Sequence, residues 1–414
     1  MRITRYSVLL LLLVPHLFGT PLTIDAAIEL FVEHNYDLQI ARHDAQKSRA
    51  DLITAKERPN PTLLGSYEFM NLNNRFSDVS TGSNAQATLT LTHPIETAGK
   101  RDRRIDVAQR SIIFSNLIYD ETVRDQLMRL MDAYYAVLSD QTNLSNAQEN
   151  LKSYTSIMEI AKAKLDHGFL SQIDYQKIVL QQIDYAKEVE NNRLALAQDR
   201  EALSSMLALP SSDIAATETI DPSTELPQLE EFLAKTAERP DCKAAKQYLA
   251  VADAALSLEK ANGVPNVTVG AEYASFGPTY EPLAGVNVSM PIPLYDRNEG
   301  DIEKARINTL QAANLYEKTL RMAKADVIQS YEAVQSRQNV YKAMREGFST
   351  AKELKEKQEK IFALKGMSVL ELLDAQKSYR EYQRNMTQSL VELQIVKARL
   401  KLNSGLSLLD SKGH

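Results

Sequence analysis

Enzymatic chemistry needs nucleophiles, acid–base groups or metal ligands at workable spacing, and this 414-residue chain offers few. Its six histidines are His16, His34, His43, His93, His167 and His414, and no two have the close helical spacing of a ligand pair. His34, Asp37 and His43 suggest a metal relay, but their spacing does not share a helix face. The single cysteine, Cys242, excludes a disulfide within the chain and argues against a zinc site. There is no phosphate-binding glycine loop, nucleophile elbow or His-Glu-x-x-His. The expectation is a protein that is not an enzyme, with no catalytic residue, metal site or cofactor. Glu371 and Asp374 stand three apart and so share one face of a helix, which taken alone reads as a solvated face.

A net charge of −6 gives no concentrated basic surface for nucleic acid. At the N-terminus, Arg2 and Arg5 precede the leucine-rich run Val8 to Val14, followed by Pro15, Gly19 and Thr20. That order is a secretory signal peptide over 1–20, cleaved near Gly19 or Thr20. The run is too short to span a bilayer as a helix, which takes ~20 apolar residues. No later segment qualifies either, so a membrane-inserted form would have to use strands.

Behind the signal the same order of elements occurs twice. Residues 21–209 form a first repeat: helix over 22–56, strands at 62–70 and 85–93, a long helix at 100–165, and a helix at 171–209. Residues 231–405 form a second: helix 231–260, strands 266–274 and 284–290, a long helix 299–364, and a helix 368–404. Pro210, Pro222 and Pro227 mark 210–230 as a linker or equatorial segment, and 406–414 is a C-terminal tail.

The long helices rest on seven-residue spacing. Leu130, Val137, Leu144, Leu151, Met158 and Leu165 form one stripe; Ala313, Leu320, Val327, Val334, Tyr341 and Phe348 form another. At 1.5 Å per residue each long helix extends ~100 Å, so two shorter helices must stack end to end along it. The expected object is a rod or tunnel wall of paired helices. Four strands alternate apolar and polar residues, a pattern that suits a soluble sheet with one wet face as well as a membrane barrel. Four strands cannot close a barrel, since single-chain barrels begin at about eight, so a barrel requires several copies.

Short stretches give the layout a family likeness. His93-Pro94-Ile95-Glu96-Thr97-Ala98-Gly99-Lys100-Arg101 with Arg104, and Pro291-Ile292-Pro293-Leu294-Tyr295-Asp296-Arg297-Asn298-Glu299-Gly300, lie where strands give way to helices. Gly168-Phe169-Leu170-Ser171 with Asp174, and Gly366-Met367-Ser368 with Leu370 to Gln376, lie between long and shorter helices. In this order they resemble the TolC family of outer-membrane efflux proteins, in its CzcC-like, heavy-metal branch.

The resemblance implies a mainly α fold with a small β part: a long α-helical barrel continued by a transmembrane β-barrel, four strands per chain in a homotrimer. It implies strand–helix junctions at Gly99, Lys100, Arg101, Arg297 and Gly300. It also implies that Gly168, Phe169, Leu170, Ser171, Gly366, Met367 and Ser368 are hairpin tips where a periplasmic adaptor (membrane fusion) protein docks. Glu371 and Asp374 would then ring the periplasmic entrance and favour cations. No arginine lies within 362–375 to tie that entrance shut. The partners expected are an inner-membrane pump of RND type, the adaptor and outer-membrane lipid, with heavy-metal cations as cargo. Lys100, Arg101, Arg103 and Arg104 crowd a helix N-terminus, where the dipole disfavours them, so they either meet lipid phosphates or remain a hydrated cluster. A multidrug or type I secretion duct, and a periplasmic adaptor or coiled-coil structural protein, are the alternatives.

Overall fold

The computed structural model describes residues 21–69, 85–218, 226–276, 281–364 and 368–405. The expected signal peptide, the C-terminal tail from 406, Gly366 and Met367 lie outside them. The chain runs β1 (Pro21–Leu22), α1 (Ile24–His34), α2 (Tyr36–Lys56), β2 (Thr62–Phe69), β3 (Ala85–Ile95), α3 (Lys100–Asp166) and α4 (Gln172–Leu207). It continues with β4 (Ala215–Ala216), α5 (Leu229–Lys235), α6 (Pro240–Asn262), β5 (Val267–Phe276), β6 (Leu283–Ser289), α7 (Glu299–Leu364) and α8 (Val369–Asn403). Among the described residues no helix is long and apolar enough to cross a membrane.

The chain divides into two compact units. One takes the described residues of 1–39, 122–239 and 323–414; the other takes 40–121 and 240–322. In the first unit the stripes are buried at Leu130, Val137, Val327 and Val334 and half-buried farther along. Leu130 and Val137 of α3 pack with Phe31, Leu38, Leu203 and Leu207, while Val327 and Val334 of α7 pack with Phe232, Leu393 and Leu400. In the second unit the buried apolar positions are nearly all alanine: Ala45, Ala55, Ala108, Ala244, Ala245, Ala252, Ala261, Ala305 and Ala312. Side chains this small let helix axes approach at the short end of the usual 8–10 Å.

Three expectations change. The helix expected over 22–56 breaks at Asn35, because that one residue serves both helices. Its backbone N–H donates to Phe31 O at the end of α1, and its Oδ1 accepts from Leu38 N at the start of α2. The helix expected at 231–260 is likewise two, separated at Arg239-Pro240. The segment 210–230 is more than linker: β4 pairs in parallel with β1 (Leu22 with Ala216), and Ile214 and Ala216 are buried in the core. Tyr134 holds this pair by donating its hydroxyl to Leu22 O at 2.8 Å and Thr217 O at 3.1 Å. Burial pushes the Tyr134 hydroxyl well above its ordinary pKa, so it stays a donor.

Candidate functional site

The four longer strands form one antiparallel sheet in the order β2-β3-β5-β6. Its register lines Leu63, Leu91, Ala271 and Val286 in one row, with Gly65, Leu89, Tyr273 and Ala284 in the next. Leu63, Tyr67, Leu89, Leu91, Tyr273, Val286 and Val288 are all exposed on that face. The opposite face carries Thr62, Ser66, Glu68, Thr88, Thr90, Thr92, Glu272 and Asn287, with Leu64 and Leu283 as exposed apolar exceptions. A sheet with its apolar face bare and β2 and β6 as edges is unfavourable in water, since unpaired edges and exposed apolar faces both invite association. In lipid it is satisfied once the edges meet other strands.

The strand–helix junctions are built by backbone turns and side-chain caps. Ala98 and Gly99 take left-handed conformations (φ 52° and 66°), which reverse the chain into α3. Thr97 Oγ1 donates to Pro265 O at 2.6 Å, and Lys100 Nζ donates to Asn266 Oδ1 at 2.6 Å. Lys100, Arg101 and Arg104 thus find partners within the chain, while Arg103 of the same cluster is exposed. Arg101 Nε donates to Lys56 O, and Arg104 donates to Ala55 O and Glu57 O, so two guanidinium groups cap the last carbonyls of α2. Arg104 also forks onto Glu96 at 2.6 and 3.2 Å and holds that carboxyl below its usual range. At the second junction Gly300 lies in the first turn of α7, and the left-handed residue is Asn298 (φ 61°), missed in the sequence. Its amide donates to Glu259 O and Oε2 at 2.9 Å, while Arg297 Nε donates to Pro293 O at 3.4 Å. An Asn followed by a helix is the local signal that identifies it.

At the first hairpin Gly168 (φ 74°) ends α3 in a Schellman motif: Phe169 N donates to Lys164 O and Gly168 N to Leu165 O. Phe169 is 80% exposed, whereas Leu170 packs against the core below. Ser171 caps α4, its Oγ accepting from Asp174 N at 3.1 Å and donating to Asp174 Oδ2 at 2.8 Å. The Lys177 ammonium and the Ser171 hydroxyl hold the Asp174 carboxyl below its ordinary value. At the second hairpin Leu364 is exposed, and Ser368 precedes α8 without a side-chain cap. Val369 and Leu372 of α8 pack with Tyr154, Ala161, Ile178 and Phe362, which joins the two hairpins. On the other side of α8, Glu371 and Asp374 share the exposed face with Leu370. Among the described residues no group of three or more His, Cys, Asp or Glu is arranged to hold a metal ion.

Residues 27–209 and 235–406 each match the outer membrane efflux protein family. The chain belongs to that family. It is an outer-membrane protein, and CzcC, the cobalt-zinc-cadmium resistance protein of Cupriavidus metallidurans, is 25% identical to it over 289 residues. That alignment covers 69% of this chain and 66% of CzcC. The nickel and cobalt resistance protein CnrC of the same organism is 25% identical over 56% of this chain and 55% of its own length. The chain thus spans less than two thirds of the length of either relative. Its fold is that of CusC, a transmembrane channel protein, at a TM-score of 0.78 and 17% identity over 94% of both chains. VceC of Vibrio cholerae gives 0.76 and 14% over 93% of this chain and 96% of VceC.

Sequence reasoning missed a polar layer inside the helical unit of this efflux-family chain. Between two apolar clusters, Asn143, Asn146 and Asn150 of α3 face Glu188, Asn191 and Asn192 of α4 and Arg380, Gln383 and Arg384 of α8 around a cavity of about 180 Å³. Asn150 Nδ2 donates to Gln383 Oε1 at 2.8 Å with both residues buried. Arg380 donates to Glu188 at 2.9 Å and lies over the Tyr185 ring at 4.1 Å. The signal was present as asparagines at i, i+3 and i+7, one helix face that is polar where a heptad core is apolar.

One helical turn away, burial first and Asp199 second push the Asp140 carboxyl up to about 6. The folded protein then holds a proton that the unfolded chain releases near the ordinary carboxyl value of 3.8. The contribution of Asp140 to stability is therefore fully present below 3.8 and is lost as pH rises through about 6. Thermal melts of the helical circular dichroism signal between pH 4 and 7 should show this slope, and Asp140→Asn should flatten it. An unchanged slope would mean that Asp140 does not carry the effect.

Proposed function

We propose that the chain is the outer-membrane channel subunit of a tripartite efflux system, passively conducting cargo outward. The observation that carries this is the four-stranded sheet with a bare apolar face, a polar opposite face and two open edges, joined to helices of 67 and 66 residues. Three copies would join β6 of one to β2 of the next and close a twelve-stranded barrel with its apolar face toward lipid. The partners in this reading are a periplasmic adaptor and an inner-membrane pump of RND type. Exposed Phe169 and the turn through Gly168 to Ser171 suit the adaptor contact, as do Leu364, Gly366, Met367 and Ser368 at the second tip. Glu371 and Asp374, repeated three times, would form a cation-favouring ring at the entrance. Gly99, Lys100, Arg101, Arg297 and Gly300 belong to the junctions that change strands into helices.

Heavy-metal cations are the cargo favoured here, because resistance to cobalt, zinc, cadmium and nickel is what CzcC and CnrC are named for. A second reading, export of larger organic molecules, has its own support. OpmQ of Pseudomonas putida, a pyoverdine export protein, is 22% identical over 77% of this chain. The test has two parts. Protein purified from outer-membrane fractions should have the mass of a trimer in detergent and open channels in planar bilayers. A deletion strain should lose tolerance to zinc, cobalt or cadmium. A water-soluble species without conductance would overturn the channel reading; a conducting trimer with unchanged metal tolerance would move the cargo to the second reading.

A further inference from the structure

The segment after β6 is the least covered apolar stretch of the described chain, and it does not stop where the strand stops. Val286 and Val288 lie on the apolar face of the sheet, and the same two-residue alternation continues through Met290, Ile292 and Leu294. All five are between 54% and 90% exposed, and Tyr295 is 99% exposed. The run Pro282 to Tyr295 contains no charged residue and is bounded by Glu281 on one side and Asp296-Arg297 on the other.

β6 alone is short for a membrane strand. Its seven residues, tilted by ~45°, cover roughly 16 Å of an apolar band about 25 Å tall. Continuing the alternation to Leu294 brings the coverage to roughly the height of the band. The backbone there is adapted to a place without water. Pro291 and Pro293 have no N–H to leave unmet. Leu294 N donates to Ile292 O at 2.9 Å, and Pro293 O accepts from Arg297 Nε. Two amide positions thus have no donor, a third is bonded within a tight turn at Ile292–Leu294, and two carbonyls are occupied, which lowers the cost of placing this backbone in hydrocarbon.

We propose that Met290–Leu294 is embedded in the periplasmic side of the outer membrane as a hydrogen-bond-poor extension of β6, with Tyr295 and Arg297 at headgroup level. The occupant of this surface is lipid. A neighbouring copy joined through the edge of β6 meets its backbone in the plane of the sheet, and the exposed Met290, Ile292 and Leu294 side chains follow β6 beyond its last paired residue, Ser289. Continuity with the bare apolar face of the same sheet points the same way, and a tyrosine at the boundary fits the aromatic girdle of membrane barrels. The inference rests on the barrel reading above.

The chain has no tryptophan, so a single introduced one reports its own surroundings. Val286→Trp, Ile292→Trp and Asn287→Trp would each be reconstituted as the full-length protein in phosphatidylcholine vesicles with and without brominated acyl chains. Ile292→Trp should emit at short wavelength and lose emission to bromine as fully as Val286→Trp, while Asn287→Trp, on the polar face, should not. Leu294→Trp replaces Ile292→Trp if that variant fails to assemble. Quenching at 286 with none at 292 or 294 would overturn the extension and leave the barrel intact. Absence of quenching at 286 as well would overturn the barrel reading itself.

Discussion

Replacing Arg239 with alanine will destabilise the helical unit by roughly 3 kcal/mol. Arg239 is 2% exposed and sits where α5 gives way to α6. Its Nη1 donates to Ala323 O at 3.3 Å, to Asn403 O at 3.3 Å and to Asp326 Oδ2 at 3.2 Å. One planar group thus joins the α5–α6 turn, the middle of α7 and the last turn of α8. Asp326 is 44% exposed, so the ion pair itself is screened and contributes little. Most of the loss comes from two carbonyls left without this donor and from the void in a closed interface. Arg239→Lys should recover only part of it, because the ammonium lacks the planar guanidinium body that fills this closed interface. The check is the temperature at which the helical circular dichroism signal is lost, together with hydrogen exchange at the C-terminal end of α8. Equal melting of Arg239→Ala and the parent would show that the carbonyls find other donors.

Reversing the charge of Glu371 and Asp374 together, Glu371→Lys with Asp374→Lys, should convert a cation-preferring channel into an anion-preferring one. Both side chains are exposed on α8, whose opposite face (Val369, Leu372 and Ala375) is buried, so neither substitution disturbs the core. In a trimer the change turns about six negative charges into about six positive ones around one constriction. A shift of roughly tenfold in the ratio of cation to anion permeability needs only ~1.4 kcal/mol, a modest demand even through water. Reversal potentials under a salt gradient measure it. A permeability ratio unchanged by the double substitution would remove the acidic ring from the proposal.

Much of the architecture was legible because it depends on short-range periodicity. The stripe from Leu130 to Leu165 requires a helix longer than any compact core, and α3 runs from Lys100 to Asp166. The alternation of Leu63, Gly65 and Tyr67 with Ser66 and Glu68 requires a two-faced strand, and the register gives one. Gly168 reads as a helix terminator wherever it occurs, since only a residue without Cβ takes φ near 74° at no cost. The junction and tip motifs carried the family likeness, because backbone reversals restrict sequence more than helix surfaces do.

Other features depend on which distant segments meet, and no local pattern encodes that. The four basic residues opening α3 read as exposed because a helix N-terminus repels them. The end of α2 arrives with unsatisfied carbonyls, and Arg101 and Arg104 become its caps. β1 and β4 are two-residue strands almost 200 positions apart, too short to show a period, and exist only because the core brings them together. Asn35 divides a helix whose apolar pattern runs on without interruption, because its side chain also donates to Met206 O in α4. The polar layer around Asn150, Gln383 and Arg380 draws on three helices, so its members look like surface residues until those helices pack. Periodicity by itself determined that this chain builds long paired helices and two-faced strands. The tertiary structure alone decided which charges and amides are spent inside it, because a hydrogen bond between distant segments exists only once packing has excluded water from both partners.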